Sequence, residues 1–94
     1  MIRSYRDRKT ERLAAGDKVR QWELFRRQAE NRLRILDAAT SLGDLAALNS
    51  NRLEALKGNR KGQYSIRIND QWRICFKWPK DAPGPIEVEI VDYH

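Results

Sequence analysis

A chain of 94 residues with 40% apolar and 34% charged residues, and only 5 Gly and 3 Pro, has the composition of one folded domain and excludes a disordered or collagen-like one. No apolar run approaches the roughly 20 residues of a membrane span, the first residues lack a signal peptide's apolar segment, and the single Cys75 allows no internal disulfide. A formal charge of +6 and a pI near 9.9 favour a polyanionic partner such as nucleic acid, and a cytoplasmic location is expected.

The charge is unevenly placed. Residues 1–34 carry 11 bases and 5 acids, residues 35–50 two acids and no base, residues 51–80 eight bases and two acids, and residues 81–94 four acids with no Lys or Arg. Ile2-Arg3-Ser4-Tyr5 alternates and predicts a short first strand. Asp7 predicts an N-cap for a helix over 8–15, which Gly16 ends, and Asp17 a cap for the next helix. That helix, over 18–39, has Trp22, Phe25, Ala29, Leu33 and Leu36 on one apolar stripe. Glu23 with Arg27 and Glu30 with Arg34 have the spacing of helical ion pairs. Its arginines read first as a solvated face. Ser41 and Asp44 mark a short helix to about Leu48, broken at 49–51.

A strand over 52–56 then enters the basic loop Lys57-Gly58-Asn59-Arg60-Lys61-Gly62. In the next strand Tyr64, Ile66 and Ile68 share a face opposite Ser65 and Arg67. After it, Trp72, Ile74, Phe76 and Trp78 alternate with Arg73, Cys75 and Lys77. Only an odd loop, Asn69-Asp70-Gln71, keeps both apolar sets on one side, because a slip of one residue inverts a strand. It sets Arg67 directly opposite Arg73, and Asn and Asp tolerate the left-handed backbone such a loop uses. One sheet face is thus core, with Trp22, Trp72 and Trp78 in it. The other is a floor carrying Arg67, Arg73 and Lys77, with Cys75 a small floor residue rather than a nucleophile. A last strand alternates Ile86, Val88 and Ile90 with Glu87 and Glu89, whose acids face the basic floor and predict cross-strand pairs with Arg73 or Lys77.

No metal-ligand spacing, phosphate-cradling glycine loop or Ser/His/Asp arrangement is present, so no metal or cofactor is expected. The combination of Leu56-Lys57-Gly58-Asn59-Arg60, Gly62, Ser65-Ile66, Trp72-Arg73-Ile74 with Phe76, and Asp92-Tyr93-His94 resembles the HigB branch of the RelE-like toxins. The similarity includes Met1-Ile2-Arg3-Ser4 and the 36–40 segment Leu36-Asp37-Ala38-Ala39-Thr40, and so runs nearly the whole chain.

The resemblance implies a single domain over 1–94 of small α+β RelE-like fold, a twisted and mostly antiparallel sheet packed against N-terminal helices. It implies a ribosome-dependent endoribonuclease, an mRNA interferase that cuts mRNA in the ribosomal A site, within the small subunit of the ribosome. An antitoxin of the HigA type, with a helix-turn-helix, would neutralise it, and operator DNA would be met only through that antitoxin. The family's functional positions fall on Lys57, Arg73, Asp92, Tyr93 and His94. Some members carry His where this chain has Glu54, so an imidazole pair is excluded here.

RNA is cut without metal when its own 2′-OH attacks the adjacent phosphate. The site must then remove one proton, stabilise the added charge and protonate the leaving oxygen. Arg73 is expected to stabilise charge with help from Lys57, while Arg60, Lys61, Arg67 and Lys77 hold the backbone. His94 and Asp92 are candidates for proton transfer, Glu54 a possible base, and Tyr93 a stacking or orienting residue. The competing readings are a non-catalytic basic RNA- or DNA-binding module and a protein-interaction domain with a basic surface.

Overall fold

The computed structural model describes residues 1–92. Three helices precede and cover a four-stranded antiparallel sheet of order β1-β2-β3-β4, an α+β fold as the sequence implies. Helix α1 spans Arg8–Ala14, α2 Arg26–Ala38 and α3 Leu42–Ala47. The strands are β1 Glu54–Ala55, β2 Gln63–Arg67, β3 Trp72–Lys77 and β4 Ile86–Asp92. Among the described residues, no helix is long and apolar enough to cross a membrane.

The Asp7 carboxylate caps α1 by accepting from Thr10 N at 3.3 Å, and Gly16 follows its end at φ +97°. Asp17 does not cap the next helix; it lies 3.9 Å from Arg12. The expected single helix over 18–39 is instead a 3-10 turn over Arg20–Phe25 followed by α2. Trp22 and Phe25, three residues apart, both face the core when the chain makes three residues per turn, and Ala29, Leu33 and Leu36 continue at α-helical spacing. The surface pairs differ from those expected. Glu23 and Glu30 meet Arg26, at 3.7 and 3.3 Å, instead of Arg27 and Arg34. Ser41 caps α3 through Asp44 N at 3.2 Å, while the Asp44 carboxylate accepts from Thr40 N and Oγ1 at 2.9 and 2.7 Å.

The hairpin has the register that parity demands. Ile68 N donates to Trp72 O at 2.9 Å, and Arg67 stands opposite Arg73. No loop residue is left-handed, contrary to expectation. Asn69 Oδ1 instead accepts from the backbone N–H of Gln71 and of Trp72 at 2.9 and 2.8 Å and closes the turn with its side chain. Ile66, Ile74, Phe76, Val88 and Ile90 bury one sheet face under Leu13, Trp22, Phe25, Ala29, Leu33 and Leu36. Trp72 is half-buried and stacks on Phe25, ring centres 5.0 Å apart. Trp78 is half-buried against the same cluster.

The N-terminal segment adds no regular strand. It runs parallel to β4 with one bridge, Tyr5 to Val88, because Asp7 starts α1 immediately and Glu87 interrupts the ladder with a bulge at φ +52°. Arg3 N donates to Pro85 O, Val88 N to Ser4 O and Arg6 N to Val88 O, at 2.8–3.1 Å, and Ile90 N donates to the buried Thr10 hydroxyl at 3.0 Å. These bonds cover the β4 edge, which would otherwise offer itself to another strand. Gly84 allows this docking, since a Cβ there would collide with the Met1 carbonyl oxygen. Gly84→Ala is therefore expected to destabilise the fold by about 1–3 kcal/mol, read as a lower midpoint in urea unfolding.

Candidate active site

The face opposite the helices was expected to be an open basic floor, and it is partly closed. Ser65 and Cys75 are fully buried on it, and Gln63 and Leu56 nearly so. Long side chains lie flat across the strands. Arg60 Nη1 donates to Gln63 Oε1 and to Glu89 Oε2, both at 3.0 Å, and Arg6 also approaches Glu89 at 3.6 Å. The pairs foreseen for the acids of β4 form in part: Lys77 Nζ meets Glu87 at 3.0 Å, but Glu89 takes Arg60 and Arg6 in place of Arg73.

The Arg67–Arg73 juxtaposition is relieved by divergence. Arg67 turns to Asp70. Arg73 crosses β2, where its Nε–H donates to Ser65 Oγ at 2.7 Å and its Nη2 to the Arg52 carbonyl at 2.6 Å. Glu54 is the cross-strand partner of Ser65, which is in turn the partner of Cys75, and Cys75 of Glu89. Strand alternation therefore sets Glu54, Ser65, Cys75 and Glu89 in one row, with Arg73 and Arg60 laid over it.

Burial pushes the Cys75 thiol up to about 11, against opposing pulls from Arg60 and Arg73, and Glu89 and Glu54 push it the same way. The thiol is not a nucleophile at neutral pH. Because the folded value lies above the ordinary 9.0 of the thiol, the stabilisation it carries is complete below pH 9 and lost as pH rises towards 11. Cys75→Ala is expected to flatten that decline in urea-unfolding free energy between pH 8.5 and 11. Native protein is expected to resist a thiol-specific alkylating agent at pH 8.

Of the residues expected to bind or cut RNA, Glu54 lies in the same cross-strand row as Cys75, with Arg73 bound to Ser65 and Arg60 to Glu89 of that row. Lys57 and Lys61 are exposed in the loop that leads into this face, at either side of the Gly58–Arg60 turn. Arg60, Arg67 and Lys77 each hold a carboxylate. Asp92 shares the Ile90 face of β4, pairs with Trp72 across the ladder and accepts from Gln71 Nε2 at 3.1 Å, so it stands on the opposite side of the sheet from Arg73. Tyr93 and His94 lie outside the described residues. Two contributors were not foreseen: Ser65, legible as a hydroxyl alternating with Arg67, and the Arg52 carbonyl, which no side-chain pattern reveals. Burial, with Arg67 as a lesser cause, lowers the Arg32 pKa, and that guanidinium donates to Asn51 Oδ1 at 2.7 Å beside the same turn. Among the described residues, no cluster of three or more His, Cys, Asp or Glu could hold a metal ion.

A segment of 47 residues is 51% identical to Toxin HigB-1 of Vibrio cholerae, covering 50% of each chain. A 64-residue segment is 36% identical to Endoribonuclease HigB of Proteus vulgaris, covering 68% of this chain and 66% of that protein. The matches thus span from half to just under two thirds of the relatives' lengths. The profile of the RelE-like toxins of type II toxin-antitoxin systems, HigB branch, matches residues 2–94. A match over that span, together with the antiparallel sheet behind N-terminal helices, places the chain in the HigB-like toxin family.

Proposed function

We propose that this protein, with residues 1–94 as one toxin domain, is an endoribonuclease that acts in the cytoplasm on mRNA in the ribosomal A site. A helix-turn-helix antitoxin of the HigA type neutralises it and carries it to operator DNA. Family membership and the activity in the name of the Proteus vulgaris relative support the class. The observation that carries the chemistry is the Arg73 guanidinium, held at two points by Ser65 and the Arg52 carbonyl on the same face as Glu54.

In this reading a phosphate sits over Arg73, which stabilises the charge that develops as the 2′-oxygen attacks. Lys57 adds a second cation from the loop. Glu54 takes the 2′-OH proton, and His94 returns a proton to the leaving 5′-oxygen. Tyr93 orients the scissile nucleotide. The carboxylates on Arg60, Arg67 and Lys77 argue against a purely electrostatic binding module, since they neutralise much of the floor. They leave a compact site that depends on the ribosome to position its substrate.

The test is expression in growing cells with and without a co-expressed helix-turn-helix partner, mapping mRNA 5′ ends. New ends confined to translated frames, and suppressed by the partner, are the expected result. Growth arrest with intact mRNA would overturn the nuclease reading.

A further inference from the structure

We propose that Ser65 and the Arg52 carbonyl are positioning groups for Arg73, fixing the plane of its guanidinium before substrate arrives; the inference rests on the nuclease reading above. The Nε–H and Nη2 of Arg73 occupy one edge of its planar fork, and both are used on the protein, at 2.7 and 2.6 Å. Two such bonds fix a planar group in position and in rotation, which one cannot do. A third, longer contact from Nη2 to Ser65 O at 3.4 Å lies on the same edge. Both acceptors are themselves held. Ser65 is fully buried in the middle of β2, between Glu54 and Cys75 in the ladder.

Arg52 has φ +46° and ψ +53°, a left-handed backbone that a residue with a Cβ rarely adopts. Strain of this kind persists only where neighbours over-determine it. The neighbours are visible. Arg52 N donates to Asn49 O at 3.1 Å, and buried Asn51 donates to Leu45 O at 3.0 Å while accepting from Arg32 at 2.7 Å. The outcome is a turn, braced from α2 and α3, that aims one carbonyl at Arg73. Neither Ser65 nor Arg52 touches the reacting atoms in this scheme; each acts through Arg73. A guanidinium already oriented towards the developing charge needs no reorganisation during the reaction.

The test is a two-residue kinetic cycle on ribosome-programmed mRNA with wild type, Ser65→Ala, Arg73→Lys and the double variant. Lysine keeps the charge but has no Nε–H for Ser65. Ser65→Ala is expected to lower kcat by about 10- to 100-fold with KM nearly unchanged, and to add nothing in the Arg73→Lys background. Multiplicative losses in the double variant, or a loss confined to KM, would overturn the positioning role. Should Ser65→Ala fail to fold, the Arg73 Nε–H resonance in wild-type protein decides the matter without turnover. Slowed exchange with water, compared with the exposed Arg20, supports the anchor, and exchange as fast as that of Arg20 rejects it. If wild type itself cuts no RNA, the nuclease reading fails and the positioning role with it. That result is distinct from active wild type with an additive cycle, which sinks only the inference.

Discussion

Arg73→Ala is expected to reduce mRNA cleavage by about 10²–10³-fold, the usual loss when one preorganised donor to a developing oxyanion is removed. The side chain approaches the site from β3, crosses β2 and is tied down on the far side. Arg67 is turned to Asp70 and Arg60 to Glu89. Ribosome binding, spread over many surface charges, is expected to weaken far less than cleavage. The measurement is single-turnover cleavage of ribosome-bound mRNA beside a sedimentation assay of binding. Equal losses in both would make Arg73 a binding residue only.

Phe76→Ala is expected to cost about 3–5 kcal/mol, a large share of the roughly 5–15 kcal/mol that holds such a domain together. Phe76 is fully buried on β3, one residue from Cys75, with its ring 6.2 Å from that of Tyr64. Its removal leaves a cavity beneath the strand that carries Arg73. Urea unfolding is expected to show a lower midpoint at unchanged slope. Leu24→Ala is the control. That side chain is fully exposed on the 3-10 turn, so its change should stay within about 0.5 kcal/mol. A Phe76→Ala effect no larger than that of the control would show that the sheet's inner face is not the principal core.

Much of the architecture was legible because it rests on parity and capping. The three-residue loop followed from requiring Ile68 and Trp72 to share a face, and Asp7 and Ser41 cap the helices expected of them. The break at Phe25 was hidden, since Trp22 and Phe25 three residues apart suit a 3-10 turn and an α-helix equally. Alternation identified the floor residues but not its closure. Whether Arg60 projects or folds back depends on where Glu89 arrives after the Glu87 bulge, and a bulge leaves no period in the sequence. Asp92 shows the same limit. The resemblance grouped it with Arg73, whereas strand alternation turns its side chain to the other face.

The pairing of the N-terminal segment with β4 also bears on biosynthesis. Glu87 N reaches Ser4 Oγ across 83 positions of the chain, so Ser4 must wait for Glu87 to be made before this hydrogen bond closes. Until Glu87 and the rest of β4 are made, the N-terminal segment has no strand to dock on. Docking of the N-terminal segment is therefore a late folding event, one that follows the synthesis of β4.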